Sequence, residues 1–161
     1  MIKLPFVSII PLAMLMAGCG GDGSPSDEPI INTFDVITCP AVASYSSITK
    51  PNVELINNSN RFIELYRGSD LYSKTDEPTI DFEKKSVLGI NTGEKPSSGH
   101  QVKVTSVEDK GSKVIVNYDV ISPSEGCAVD MSLTYPYCFV SIQKSTKPVE
   151  FNATHVTKCT N

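Results

Sequence analysis

The sequence predicts a mostly β protein, an antiparallel β-sandwich-like domain with one α-helix packed against it. The clearest observation is the run 113–120, in which Val114, Val116, Tyr118 and Val120 fall on one face of a strand. Other alternating or apolar runs recur along the chain, whereas a single segment has helical spacing. The strands and the lone helical segment together predict this class.

The predicted strands are apolar or alternating runs bounded by turn-forming residues. A hairpin is predicted over Gln101–Val120, because Gln101–Thr105 also alternates and Glu108–Gly111 between the two runs is a turn signal. Further strands are predicted at Val36–Thr38, within Tyr45–Ile56, at Val87–Ile90 and at Cys138–Ile142.

The predicted helix begins at Asn58 or Ser59, either of which can cap it, and ends at Gly68. Its apolar residues follow at near-helical spacing and are expected to pack on a sheet rather than bind a ligand; they are Phe62, Ile63, Leu65 and Tyr66.

The first 18 residues have the parts of an export signal. Lys3 precedes an apolar run from Leu4 to Met16, and small residues follow. The run is shorter than the roughly 20 apolar residues of a membrane span, so a transmembrane helix is the weaker interpretation. Met16-Ala17-Gly18-Cys19 resembles the lipobox of bacterial lipoproteins, which implies that Cys19 carries diacylglycerol and becomes the new N-terminus. The alternative is a secreted protein cut after Gly18.

The segment 19–29 is expected to be a flexible tether, because it is rich in glycine, proline and acidic residues and has little apolar surface to bury. Gly20 stands where an aspartate would suggest retention in the inner membrane, so an outer-membrane lipoprotein is expected, on a face that the sequence does not specify. Residues 30–161 then form a single β-rich domain.

Charge and cysteine content limit the function classes. The formal net charge is −4 without a basic cluster, so no nucleic acid is expected as a partner and the membrane is expected to be reached by the lipid alone. Four cysteines remain besides Cys19, and an exported chain is expected to pair them. Of the three connectivities we favour Cys127–Cys138, which closes a local loop, with Cys39–Cys159, which ties the two ends of the domain together.

Candidate catalytic chemistry is scarce. The only histidines are His100 and His155, and neither belongs to a recognisable nucleophile motif such as G-x-S-x-G. The paired cysteines leave no thiol nucleophile, and the cysteine and histidine spacings do not suit zinc. We therefore predict a protein that is not an enzyme and that has no cofactor and no metal.

Residues 79–151 resemble the C-terminal domain of the protease complex subunit PrcB family. The family has a strand, a G-x-x-P-x-x-G-Y-like loop, two strands, and a T-x-P-Y motif before another strand. Here these parts are Val87–Ile90, Gly93–His100, the hairpin Gln101–Val120, and Thr134-Tyr135-Pro136-Tyr137 before Cys138–Ile142. The resemblance implies a binding or assembly subunit, and the partner that it suggests is a secreted or surface protease.

One position departs from that family pattern. His100 stands where an aromatic residue is usual after the loop glycine. A core role predicts that His100 is partly buried and hydrogen-bonded, whereas a binding role implies a different partner.

Two loops are the candidate partner-binding site, since turn-formers place them at the surface and alternating strands would hold them rigid. The predicted site residues are Lys95, Pro96, Ser97, Ser98, Gly99 and His100 in the first loop, and Tyr135, Pro136 and Tyr137 in the second. The alternatives are a purely structural first loop and a second loop in which one tyrosine packs inward while the other is exposed.

A fainter likeness, to chagasin-type cysteine-protease inhibitors, offers a second function. Those β-sandwich proteins also have a proline-and-glycine loop and a later proline-aromatic loop, here Lys95–His100 and Tyr135–Tyr137. The leading prediction is a lipid-anchored, non-enzymatic binding or assembly subunit of the cell envelope, and a protease inhibitor is the alternative.

Overall fold

The fold is known from a computed structural model, which describes residues 30–31, 33–42, 44–70 and 77–160. Within them the chain forms two four-stranded sheets and one helix, which confirms the predicted mostly-β class. The elements are β1 (Ile30–Ile31), β2 (Asp35–Thr38), β3 (Asn52–Ile56), α1 (Ser59–Ser69), β4 (Lys85–Asn91), β5 (Gln101–Asp109), β6 (Val114–Ser122), β7 (Tyr137–Gln143) and β8 (Val149–Thr157).

The two sheets and the helix form three layers. Sheet A has the order β1-β5-β6-β8, and sheet B has the order β2-β7-β4-β3. One core cluster lies between the sheets and includes Leu88 and Ile90 of β4 with Val104 and Val116 of sheet A. A second cluster lies between sheet B and α1, where Phe62 packs edge-on against Phe139 with ring centroids 5.7 Å apart.

The central strands β4 and β7 are buried on both faces, which explains their sequences. Alternate residues of β4 face the two clusters, Leu88 toward sheet A and Val87 toward α1. A strand covered on both sides needs apolar or small residues at every position, so it appears as a continuous run rather than as an alternation.

The hairpin of β5 and β6 forms as predicted. Its register runs from Gln101 opposite Ile121 to Asp109 opposite Val114, with one irregularity between Val104 and Ser106. The irregularity leaves Thr105 unpaired in the register, and a bulge of this kind increases the local twist. The buried valines of the pair therefore keep facing the core on either side of it.

Strand β8 departs from the all-antiparallel expectation and was not predicted. It pairs with β6 in parallel over its full length, from Val149 opposite Val114 to Thr157 opposite Ser122. Phe151 packs against the core between the sheets, but Asn152, Ala153 and Thr154 are exposed. Because the strand has few apolar residues in a regular pattern, the sequence did not predict it.

The helix matches its prediction at the start and differs slightly at the end. Asn58 is the N-cap, and its side chain accepts a hydrogen bond of 2.9 Å from the Arg61 backbone N–H. The predicted end at Gly68 is wrong, because the helix continues to Ser69. Gly68 is buried there, and a Cβ at this position would lie 2.9 Å from Ser47 Oγ, so its smallness serves packing.

All four cysteines of the domain are disulfide-bonded, but the favoured pairing is wrong. The core disulfide joins Cys39 to Cys138, and the loop disulfide joins Cys127 to Cys159. Strand β2 lies beside β7, which brings Cys39 to Cys138. Strand β8 runs beside β6, so the residues that follow these two strands, including Cys127 and Cys159, end close together. Neighbouring strands, not proximity in sequence, decide the pairing.

The predicted signal peptide, Cys19 and the predicted tether 19–29 lie outside the described residues. Among the residues that are described, no helix is long and apolar enough to cross a membrane.

Candidate functional site: a two-loop end of the sandwich

The two candidate loops lie at the same end of the molecule. The first loop, Gly93–His100, leaves the end of β4 and leads into β5, and the second loop, 123–136, connects β6 to β7. Because β4 and β5 run toward and away from this end, and β6 and β7 do the same, both loops emerge there. The two loops of the candidate site therefore share one end of the domain.

Hydrogen bonds join the two loops side by side. Lys95 and Thr134 exchange a pair of backbone bonds of 2.8 and 2.9 Å. Thr134 Oγ1 donates to the Ser97 carbonyl at 2.8 Å. At the other side the Ser98 N–H donates to the Asp130 carbonyl at 2.9 Å, and the Asp130 N–H donates to Ser98 Oγ at 2.8 Å. The loops thus form one paired surface rather than two independent ones.

Both predicted tyrosines are buried, which corrects their expected role as exposed contacts. Tyr135 is 8% and Tyr137 4% exposed. The Tyr135 hydroxyl donates to Glu94 Oε2 at 3.0 Å, and this bond raises the pKa of Tyr135. Burial raises the pKa of Tyr137 to about 12. The physical reason is that α1 covers this face of sheet B, and both rings belong to the cluster beneath the helix.

The other predicted site residues divide by accessibility. Ser97 and Pro136 are buried, and their carbonyls accept hydrogen bonds from Thr134 and Thr92 respectively. Pro96 is exposed, and those partly accessible are Lys95, Ser98, Gly99 and His100. The first loop therefore keeps an exposed side from Lys95 to His100.

His100 is half-buried, but its Nδ1 atom is buried without a hydrogen-bond partner among the described residues. The expected burial is met and the expected hydrogen bond is not found at that atom. Partial burial and the nearby positive charge of Lys95 lower the pKa of His100, so the neutral ring is favoured.

Two exposed apolar residues of the second loop were missed by sequence reasoning. Met131 is 88% and Leu133 50% exposed, and both lie in the segment that pairs with the first loop. The loop disulfide fixes the start of this second loop at Cys127 to the chain after β8. In the sequence, Met131 and Leu133 are single apolar residues on either side of Ser132 in a polar loop. Rules based on the periodicity of apolar residues assign no role to such isolated positions.

The geometry defines a β-sandwich protein in which backbone hydrogen bonds join two loops at one end, here called the two-loop end. Pro96, Met131 and Leu133 are exposed in these loops. Residues 86–143, from β4 through both loops to β7, match the PrcB C-terminal family. This match confirms the family resemblance inferred from the loop and strand motifs.

A curated relative matches part of this chain. An uncharacterised protein of Methanocaldococcus jannaschii is 30% identical over 102 residues, an alignment that covers 59% of this chain and 57% of that protein. The chain thus covers less than two thirds of the length of the curated relative. No solved structure matches.

Proposed function

We propose that this chain is a lipid-anchored, non-enzymatic protein of the cell envelope that binds another protein through its two-loop end. Cys19 would carry the lipid, the outer membrane would be its location, and it would act as a binding or assembly subunit. A protease complex is the partner that the PrcB C-terminal match suggests. The observation that carries the proposal is the exposure of Pro96, Met131 and Leu133 on the two hydrogen-bonded loops.

The chemistry of this surface suits protein contact. Exposed apolar side chains gain free energy when a partner covers them, and methionine adapts its shape to a partner surface. The backbone bonds between Lys95 and Thr134, and between Ser98 and Asp130, hold the segment that bears Met131 and Leu133. Such preorganisation lowers the entropy lost on binding.

The position of the N-terminal strand is compatible with an anchor before residue 30. Ile30 pairs with Asp109 at the end of β5, whereas the first loop joins β5 at its beginning, next to Gln101. A nine-residue strand spans about 30 Å, so an anchored end would attach far from the loops. The loops would stay open to a partner.

The inhibitor alternative is not carried forward. It placed Tyr135 and Tyr137 in a loop presented to a protease, and both rings are buried beneath α1. No other observation favours it.

The experiment is affinity co-purification of the full chain from detergent-solubilised membranes of its native host. We expect a stable partner with the wild type and its loss from the double variant Met131→Asp, Leu133→Asp. Val36→Asp, which changes an exposed valine of β2 outside the loops, is the matched control and should retain the partner. Absence of a partner from the wild type, or retention by the double variant, would refute the proposed surface. Release of Cys19→Ser from membranes would test the anchor separately.

A further inference from the structure

We propose that the chain forms a symmetric dimer in which the β8 strands of two copies pair antiparallel and join their A sheets. This proposal concerns a surface different from the two-loop end and does not depend on the partner found there. It begins from the edges of the two sheets.

The four sheet edges differ in how well they are protected. Strand β1 has two residues, β2 has four and a register irregularity, and β3 has five. Short edge strands and bulges are two devices by which proteins prevent pairing with another chain. Strand β8 has nine residues without a proline, a lysine or a bulge, and within the described residues it pairs only with β6.

The direction of the free hydrogen-bonding groups follows from the β6–β8 pairing. At its two ends the Val114 N–H donates to the Pro148 carbonyl and the Lys158 N–H donates to the Ser122 carbonyl, each at 3.0 Å. Because the pattern alternates along a strand, the even-numbered residues from Glu150 to Val156 direct their backbone groups to β6. The odd-numbered residues therefore direct theirs to the open edge: Val149, Phe151, Ala153, His155 and Thr157.

A second copy of β8 complements this edge. Ala153 is the midpoint of the strand, so a twofold axis beside it gives the longest antiparallel overlap and opposes Ala153 to its own copy. The smallest side chain then lies at the axis, and Phe151 lies opposite His155, an aromatic cross-strand pair. All five outward-directed residues would form hydrogen-bonded pairs.

Charge supports the same register. Lys158 of one copy lies diagonal to Glu150 of the other, within reach of long side chains. Glu150 and Lys158 are both exposed, and the Glu150 carboxylate already carries a cationic neighbour in Lys113, at 2.5 Å. The contact also closes, since it uses the same edge of both copies. Among the described residues, β1 and the part of β5 that it does not cover, residues 101–107, then form the outer edges of the joined sheet.

The test is sedimentation equilibrium of the full chain in a density-matched detergent. The wild type should reach twice the protein mass of one chain as its concentration rises. Ala153→Glu and Ala153→Lys, which place like charges opposite each other at the axis, should each stay at one chain mass, and an equal mixture of the two should recover the double mass. Ser112→Glu adds the same charge at an exposed position in the β5–β6 turn and should leave the dimer unchanged.

Ala153→Pro is a second probe that uses the direction of the backbone. The Ala153 N–H points to the open edge, so proline there removes no bond to β6, and edge strands accept proline in this position. This variant should be monomeric and keep its thermal melt. In the wild type, the Phe151, Ala153 and His155 amides should exchange slowly at high concentration and quickly after dilution.

The outcomes separate clearly. A wild type of single mass at every concentration, with edge amides that exchange quickly throughout, would overturn the dimer and leave the edge to a strand of another protein. A dimer that survives Ala153→Pro and both charge variants would place the contact on another surface, which also overturns the proposal.

Discussion

Gly93 should be far less tolerant of a side chain than Gly111, although the two glycines have nearly the same φ angle. Their φ angles are +73° and +78°, in the left-handed region. Each N–H donates to a side-chain oxygen two residues earlier, Asn91 Oδ1 at 2.9 Å for Gly93 and Asp109 Oδ1 at 2.8 Å for Gly111. The two positions therefore form a matched pair for the substitution of glycine by alanine.

The difference between them is space. A Cβ on Gly93 would lie 2.9 Å from the Thr49 carbonyl oxygen and 2.9 Å from the Pro51 nitrogen, both of them backbone atoms. A Cβ on Gly111 would meet no atom of the described chain within 4 Å. The left-handed conformation costs an L-residue about 1–2 kcal/mol at either position. Overpacking adds about 1–3 kcal/mol at Gly93 alone.

The free energy of unfolding should thus fall by about 2–5 kcal/mol in Gly93→Ala and by about 1–2 kcal/mol in Gly111→Ala. Urea unfolding followed by far-UV circular dichroism measures both, with the slope of the transition checked for equality. Costs that agree within about 0.5 kcal/mol, the usual range for ordinary surface changes, would show that Thr49 and Pro51 do not confine the start of the first loop as the structure has them.

Three further predictions concern the cross-links, the core and the helix cap. The double variant Cys39→Ala, Cys138→Ala removes the core disulfide, whose cysteines are 99 residues apart, and Cys127→Ala, Cys159→Ala removes the loop disulfide, whose cysteines are 32 residues apart. Because closing a longer loop restricts the unfolded chain more, the first variant should lower the free energy of unfolding by about 1 kcal/mol more than the second. Denaturant melts of the two double variants measure this difference, and equal costs would contradict the chain-entropy argument. Burial raises the pKa of Tyr137 from 10.0 to about 12, so the contribution of its neutral hydroxyl to stability is complete below pH 10 and is lost as the pH rises toward 12. Tyr137→Phe should therefore flatten the fall in melting temperature over that interval. A profile unchanged by the substitution would argue against burial of the hydroxyl. Asn58→Ala should cost about 1 kcal/mol in a thermal or urea melt, since it removes the bond to the Arg61 N–H, whereas Asn58→Asp should retain most of the stability; equal losses would count against the cap.

The strands that could be predicted are those whose environment leaves a pattern. Strands β5 and β6 have one face on the core and one toward solvent, so their valines alternate with polar residues. Strands β4 and β7 are covered on both faces and appear as continuous apolar runs. Strand β8 fits neither case. Most of its residues are exposed, so its sequence has little apolar pattern. It also pairs in parallel with β6, a strand distant in sequence, and local periodicity gives no sign of such a pairing.

The location of the candidate site could be predicted from the sequence, but which of its residues are accessible could not. Turn-formers and the family motifs located both loops, and the shared end followed from the strands that they connect. The depth of Tyr135 and Tyr137 depends on α1, which arrives from another part of the chain and covers sheet B. The same dependence on distant neighbours decided the disulfides, where β2 beside β7 brings Cys39 to Cys138.

The proposed anchor and the proposed dimer are compatible with each other. An antiparallel pairing of two β8 strands places the twofold axis perpendicular to sheet A, so the strands of the two copies run in opposite directions along one continuous sheet. Ile30 and the two-loop end lie at opposite ends of each copy, and the axis therefore puts Ile30 of one copy toward the loops of the other. If the axis lies along the membrane normal, the Ile30 residues of two anchored copies are at equal heights above the membrane. In that arrangement the strands lie parallel to the membrane surface, and the two exposed loop ends, each with its Met131, face in opposite directions along it. A partner held by this surface would then bind beside the dimer, one copy at each end.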